Sequence, residues 1–428
     1  MFIRHLARVH LSVLLAGLLL GVTTSAKPAT HVDPPRIDAA LKSFVDSHRI
    51  IGVSALVYEH GHEAYFGAFG LADREQNKPM RRDTLAQLFS MTKPVTGVAL
   101  MTLYEQGKFK LDDPVSKYLP EFANMKVWDG KSDAEHLKLV PTNRPITIRD
   151  LGRYTTGLPS LQEKNPVVDL YKKADVQSIE QTHDELGHKL AKLPLEYQPG
   201  TKWRYGEQVE IQALLVEKLS GQPFDVYVRK HIIEPLHMKE THYLVPQKDR
   251  ARLAALYEWH EDGSFTRQPD EDALKFNTKD WPMKPGSWGL VSTLDDYMRF
   301  ARMLLNGGEL DGTRILKTET VKLMATNALP LGVTDTDWLP SKGQVGFGFN
   351  FAVRIAPPKG PEEASGAVGE FFWDGLNDTL FWVDPKNEIA AVLFTQYHPF
   401  GRVPLHKAFR DAIYAGDPAA DAMLQGKK

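Results

Sequence analysis

The chain has 428 residues, 42% of them hydrophobic and 25% charged, and a formal net charge of −2 at neutral pH. This is the composition of an ordinary globular protein with a large core; it excludes a disordered or fibrous chain and lacks the basic surface that nucleic acid requires. There is no cysteine, which excludes a thiolate nucleophile, a cysteine-liganded metal and a lipid-modified cysteine.

Residues 1–26 read as a signal peptide: Arg4 and Arg8 open it, residues 11–22 are its apolar core, and Thr24-Ser25-Ala26 supply small residues for cleavage. Twelve apolar residues fall short of the ~20 that span a bilayer, so no stable membrane anchor is expected, and the location is periplasmic or secreted. Cleavage would take the mature chain to about −4 by the same charge count. A polar, proline-marked linker occupies residues 27–35, a single domain residues 36–418, and a short tail residues 419–428.

Ile37, Leu41, Phe44 and Val45 have helical spacing, which predicts a helix over residues 36–50. Two β-rich runs, residues 53–58 and 64–69, flank the turn His60-Gly61-His62 and predict a hairpin. A helix follows over residues 90–106, ended by Gly107. The region 107–285 is helix-rich with long polar loops, and its apolar helix 208–219 is stopped by Ser220-Gly221. Strands return at 345–353, 379–383 and 389–395, and a helix over 405–414 closes the chain. The order predicts an α/β (α+β) fold: one sheet completed by both chain ends and flanked by helices, with a helical middle region.

The chemistry centres on Ser90-Met91-Thr92-Lys93. A serine hydroxyl is a poor nucleophile until a base takes its proton. At a helix start, residues i and i+3 share a face, which puts Lys93 one turn from Ser90, and a buried lysine can serve as that base. The helix start adds a dipole and unpartnered N–H groups that favour developing negative charge, and Pro94 is tolerated in the first turn. Chance alone supplies about one such serine–lysine pair in a chain this long, so the surrounding motifs carry the weight.

Those motifs resemble the serine β-lactamase and penicillin-binding protein superfamily, and within it the β-lactamase-like carboxylesterases of the family VIII type. The blocks are Leu88-Phe89-Ser90-Met91-Thr92-Lys93-Pro94-Val95-Thr96-Gly97, Leu111-Asp112-Asp113-Pro114-Val115, Tyr118-Leu119-Pro120-Glu121-Phe122, Ile146-Thr147-Ile148-Arg149-Asp150-Leu151 and Thr155-Thr156-Gly157-Leu158-Pro159. They agree in order and spacing, and the likeness covers about residues 53–396. The antiparallel sheet is what this resemblance implies for the fold.

The resemblance also assigns roles. In Pro199-Gly200-Thr201-Lys202-Trp203-Arg204-Tyr205, Tyr205 becomes a second catalytic residue that relays a proton to the leaving group. Penicillin-recognising members usually carry asparagine two residues later, where this chain has Glu207. Trp373-Asp374-Gly375 stands where β-lactamases have Lys-Thr-Gly, whose cation holds the antibiotic's carboxylate. An indole here, with Asp374 adding negative charge, suits a neutral ester better than an anionic β-lactam. The N–H of Leu376, with that of Ser90, would form the oxyanion hole, although Asn377-Asp378 depart from the small residues usual there. The segment from Ser287-Trp288-Gly289 to residue 308 is assigned to packing, with Trp288 a candidate wall of the cleft.

Other signals carry less. His60-Gly61-His62-Glu63 lacks metal-ligand spacing and reads as a turn, Met125 breaks any phosphate loop before Gly130-Lys131-Ser132, and no G-x-S-x-G elbow is present. Asp112 and Asp113 read as turn and cap residues. The expected protein is thus an exported serine hydrolase that cleaves small-molecule esters or amides through an acyl-enzyme, with no metal or cofactor implied. Its rivals are a β-lactamase or D-Ala-D-Ala peptidase, an acyltransferase, and a non-catalytic envelope binding protein on the same scaffold.

Overall fold

A computed structural model describes residues 32–415. The expected signal peptide, most of the linker and the tail lie outside the described residues. The elements that place the site are, in chain order, α1 (Pro34–Asp46), β1 (Gly52–Glu59), β2 (His62–Asp73), β3 (Lys78–Pro79), α2 (Thr92–Glu105), α3 (Gln208–Ser220), α4 (Leu294–Leu305), β4 (Val345–Phe347), β5 (Ala352–Arg354), β6 (Phe371–Asp374), β7 (Leu380–Asp384), β8 (Ile389–Phe394) and α5 (Leu405–Tyr414).

Among the described residues, the central sheet has eight strands in the order β4-β5-β6-β7-β8-β1-β2-β3, with every neighbouring pair antiparallel. β1 joins the two ends of the chain: it pairs with β2 on one side and with β8 on the other, Ser54 opposite Phe394 and Glu59 opposite Ile389. β8 is buried along its whole length, as a strand covered on both faces must be. Consecutive strand residues point to opposite faces. Trp382 packs on Phe409 of α5 while Phe381 packs on Tyr297 of α4, so α5 and α4 cover opposite faces of the sheet. α2 is buried around nearly its full circumference from Thr92 to Leu103 and packs against α3, as expected of a helix with no wholly polar side.

The structure differs from the sequence expectations in four places. α1 begins at Pro34, inside the expected linker, because a proline suits a first helical turn. The expected strand 345–353 is two strands: the chain turns at Asn350, whose φ of 63° is a left-handed conformation that asparagine tolerates. The middle region holds two hairpins, Lys126–Trp128 with Leu139–Pro141 and Tyr257–Trp259 with Phe265–Arg267, too short for an alternating pattern to stand out. β6 was not expected as a strand, since Phe371-Phe372-Trp373 is buried on both faces and shows no alternation.

Candidate active site

Ser90 lies in a short 3-10 turn, Phe89–Met91, that runs directly into α2. Phe89 has φ 44°, a left-handed conformation that costs a non-glycine residue on the order of 1–3 kcal/mol. The surroundings hold it there. Leu88 N–H donates to Leu290 O at 2.9 Å, Tyr297 OH donates to Met91 O at 2.7 Å, and the Phe89 ring stacks on Trp288 with centroids 6.3 Å apart. Trp288 thus packs against the Ser90 segment.

Two side chains converge on the Ser90 hydroxyl oxygen. Lys93 Nζ donates to Ser90 Oγ at 3.2 Å, and Tyr205 OH donates to the same atom at 2.8 Å. Lys93 is 4% exposed, and its amine also donates to Ser287 O at 2.8 Å and lies 4.6 Å from the Tyr205 ring centroid. Among the described residues no carboxylate is within ion-pair distance of it. Its backbone carbonyl accepts from Asn350 Nδ2 at 3.0 Å, and Asn350 is itself paired amide to amide with Gln212 of α3. The left-handed turn at Asn350 therefore ties the sheet to the helix that carries Lys93, a link with no sequence motif to announce it.

Tyr205 is fixed by an aromatic cluster. Its ring lies 5.7 Å from Trp373, 5.2 Å from Trp338 and 5.8 Å from Tyr154, and Trp373 Nε1 donates to its hydroxyl at 3.4 Å. Trp338 was not singled out in the sequence; a lone tryptophan in a polar loop carries no periodic signal. Glu207, two residues on, is buried, with its carboxylate accepting from Gln177 Nε2 at 3.2 Å. Burial, and then the nearby Glu210 carboxylate, push Glu207 up to about 7 against the opposing pull of Lys93.

The third motif divides between the two faces of β6. Trp373 faces Tyr205, while Asp374, the next residue, faces the opposite side and forms an ion pair with Lys342. The negative charge expected of Asp374 is met by Lys342, whose amine also lies 5.7 Å from the Trp373 ring centroid and 5.4 Å from that of Trp338. Gly375 must be glycine, because a Cβ there would meet Leu88 O at 2.2 Å. This approach lays the turn after β6 alongside the residues before Ser90, with Leu376 at its tip 51% exposed. Asn377 and Asp378, unusual by the sequence pattern, anchor that turn. Asn377 Nδ2 donates to Gln396 Oε1 at 3.2 Å, and Asp378 accepts from Tyr397 OH and from Gly401 N–H at 3.0 Å.

An antiparallel sheet built from both chain ends, a helical region between them and a serine–lysine–tyrosine cluster at their junction form the architecture of β-lactamases and penicillin-binding proteins. The Beta-lactamase family model matches residues 37–415, and the chain belongs to that family. An uncharacterized protein of Mycobacterium tuberculosis is 31% identical over 374 residues, 84% of this chain and 89% of that one. Esterase EstB of Burkholderia gladioli is 28% identical over 405 residues, 89% of this chain and 95% of its own. Among solved structures, EstCE1, described as a hydrolase with promiscuous acyltransferase activity, matches with a TM-score of 0.71 at 26% identity, covering 89% of this chain and 98% of that one. The chain is thus a member of a β-lactamase-fold family of hydrolases and acyltransferases with esterase homologues.

Proposed function

We propose that the protein hydrolyses esters through an acyl-enzyme on Ser90. The observation that carries this reading is the convergence of Lys93 Nζ and Tyr205 OH on Ser90 Oγ, at 3.2 and 2.8 Å. Lys93, acting as the base, takes the hydroxyl proton as Oγ bonds to the ester carbonyl carbon. Tyr205 passes a proton to the departing alkoxide and is replenished from Lys93. Water then attacks the acyl carbon, releasing the acid and restoring Ser90. The N–H groups of Ser90 and Leu376 take the oxyanion, a role supported by the approach of Gly375 to Leu88. Trp373 presents an indole where β-lactamases present a cation, which favours a neutral ester over an anionic β-lactam.

The test compares the mature protein and Ser90→Ala on a short-chain p-nitrophenyl ester and a chromogenic cephalosporin. Ester cleavage that vanishes in Ser90→Ala, with little cephalosporin turnover, is the expected result. An unchanged ester rate in the variant would sink the assignment, and rapid cephalosporin hydrolysis would make the protein a β-lactamase. The acyltransferase activity in the description of EstCE1 supports a second reading, transfer of the acyl group to an alcohol. Adding an alcohol acceptor and measuring the ratio of new ester to free acid separates the two. Residues 1–26 support export, and N-terminal sequencing of the secreted protein should begin at Lys27.

A further inference from the structure

The amine of Lys93 is held more closely by Ser287 O, at 2.8 Å, than by Ser90 Oγ, at 3.2 Å. The direction of that carbonyl therefore decides where the amine sits. Residues 285–287 are clamped at every carbonyl: Tyr243 OH donates to Pro285 O at 3.1 Å, Thr96 Oγ1 to Gly286 O at 2.5 Å, and Lys93 to Ser287 O.

The amides of Gly286 and Ser287 converge on one carboxylate. Glu210 of α3 accepts Gly286 N–H at 2.7 Å, Ser287 N–H at 2.9 Å and the Ser287 hydroxyl. Residue 286 has to be glycine for α3 to come this close, since a Cβ would meet the Ala213 side chain at 2.8 Å and Val209 O at 2.9 Å. Glu210 is 3% exposed and belongs to none of the motifs. Behind it, His183 Nε2 lies 3.5 Å from its carboxylate, while His183 Nδ1 lies 3.2 Å from Glu217. Burial alone would lower His183, but the two carboxylates outweigh it and raise it to about 9, so the imidazolium persists at neutral pH. Burial likewise works to raise Glu210, yet His183 and the Ser287 and Gly286 donors hold it below the usual carboxylate value.

We propose that Glu210, braced by His183, is the positioning residue for Lys93: its carboxylate orients the Gly286–Ser287 peptide so that Ser287 O sets the amine against Ser90 Oγ. The inference rests on the reading of Ser90 as nucleophile. A carboxylate suits the task because three donors meet there and it accepts from all of them without donating. A glutamine keeps the volume but turns an NH2 group toward one of those donors, so Glu210→Gln disturbs the clamp without opening a cavity.

The experiment measures ester hydrolysis and the rate of Ser90 labelling by a p-nitrophenyl phosphonate, read by mass spectrometry, in the wild type and Glu210→Gln. The variant should show kcat lower by about tenfold or more, KM within about twofold, and labelling slowed in parallel, as expected when a base is displaced but the cleft is intact. A folded Glu210→Gln that labels at the wild-type rate overturns the inference. Should Glu210→Gln fail to fold, Ser287→Ala removes one of the three donors and keeps the carboxylate. Labelling slowed by about threefold supports the proposal, and an unchanged rate overturns it. Absence of Ser90 labelling in the wild type overturns the functional reading and this inference together, whereas equal rates in wild type and variant overturn only this one.

Discussion

Two lysines border the candidate site, and they are held in opposite ways. Lys93 is surrounded by neutral acceptors, the Ser90 hydroxyl and the Ser287 carbonyl. Lys342 is in an ion pair with Asp374, both side chains nearly buried, and its amine lies 5.4 Å from the Trp338 ring centroid. A buried ion pair is costly to break by removing one partner and works as a strut, whereas Lys93 is positioned by a carbonyl and a hydroxyl. The contrast lies within one sheet edge. Asp374 follows Trp373 in sequence, yet strand alternation sends the indole to Tyr205 and the carboxylate to Lys342.

The largest effect should come from breaking the first arrangement. Lys93→Met is expected to lower kcat for ester hydrolysis by about a thousandfold with the fold intact by circular dichroism. A loss of tenfold or less would remove Lys93 from the role of base. The second arrangement should fail in stability first. Lys342→Met leaves Asp374 buried without its cation and should cost about 4 kcal/mol in denaturant unfolding. The double variant Lys342→Met with Asp374→Leu should recover most of that loss, because replacing both charges removes the unpaired one. Unchanged stability in the single variant would show that the pair is not a strut.

The smallest effect is in pH dependence and concerns Glu207, a buried acid close to Lys93. Its folded value is raised to about 7 from 4.5. Between those values the folded state keeps a proton that the unfolded chain has released. Stability should therefore fall as pH rises from about 4.5 to 7, with a slope approaching ~1.4 kcal/mol per pH unit. Glu207→Gln should flatten that slope, which unfolding midpoints across the window would show. A slope identical in wild type and variant would mean that Glu207 ionises normally.

Much of the scaffold was legible because its signals are local. Helical spacing gave α1, the turn at Gly61 gave the β1–β2 hairpin, Gly221 in its left-handed conformation ends α3, and α5 spans the expected residues. The serine, lysine and tyrosine were named from the sequence because motif and spacing placed them, and the structure brings them within hydrogen-bond reach. Asn350, Trp338, Lys342 and Glu210 were not legible. Each acts on a partner far along the chain, such as Asn350 on Lys93 O or Glu210 on Ser287, and no local pattern encodes such a partner.

The sequence by itself determined the elements, the family and which residue types could carry an acyl transfer, since periodicity, turn chemistry and motif spacing are properties of neighbouring residues. Only the tertiary structure decided which charges face the site. Whether Asp374 meets a cation, and whether Lys93 meets a carboxylate or a carbonyl, depends on strand alternation and helix packing, which fix direction only once the sheet has closed.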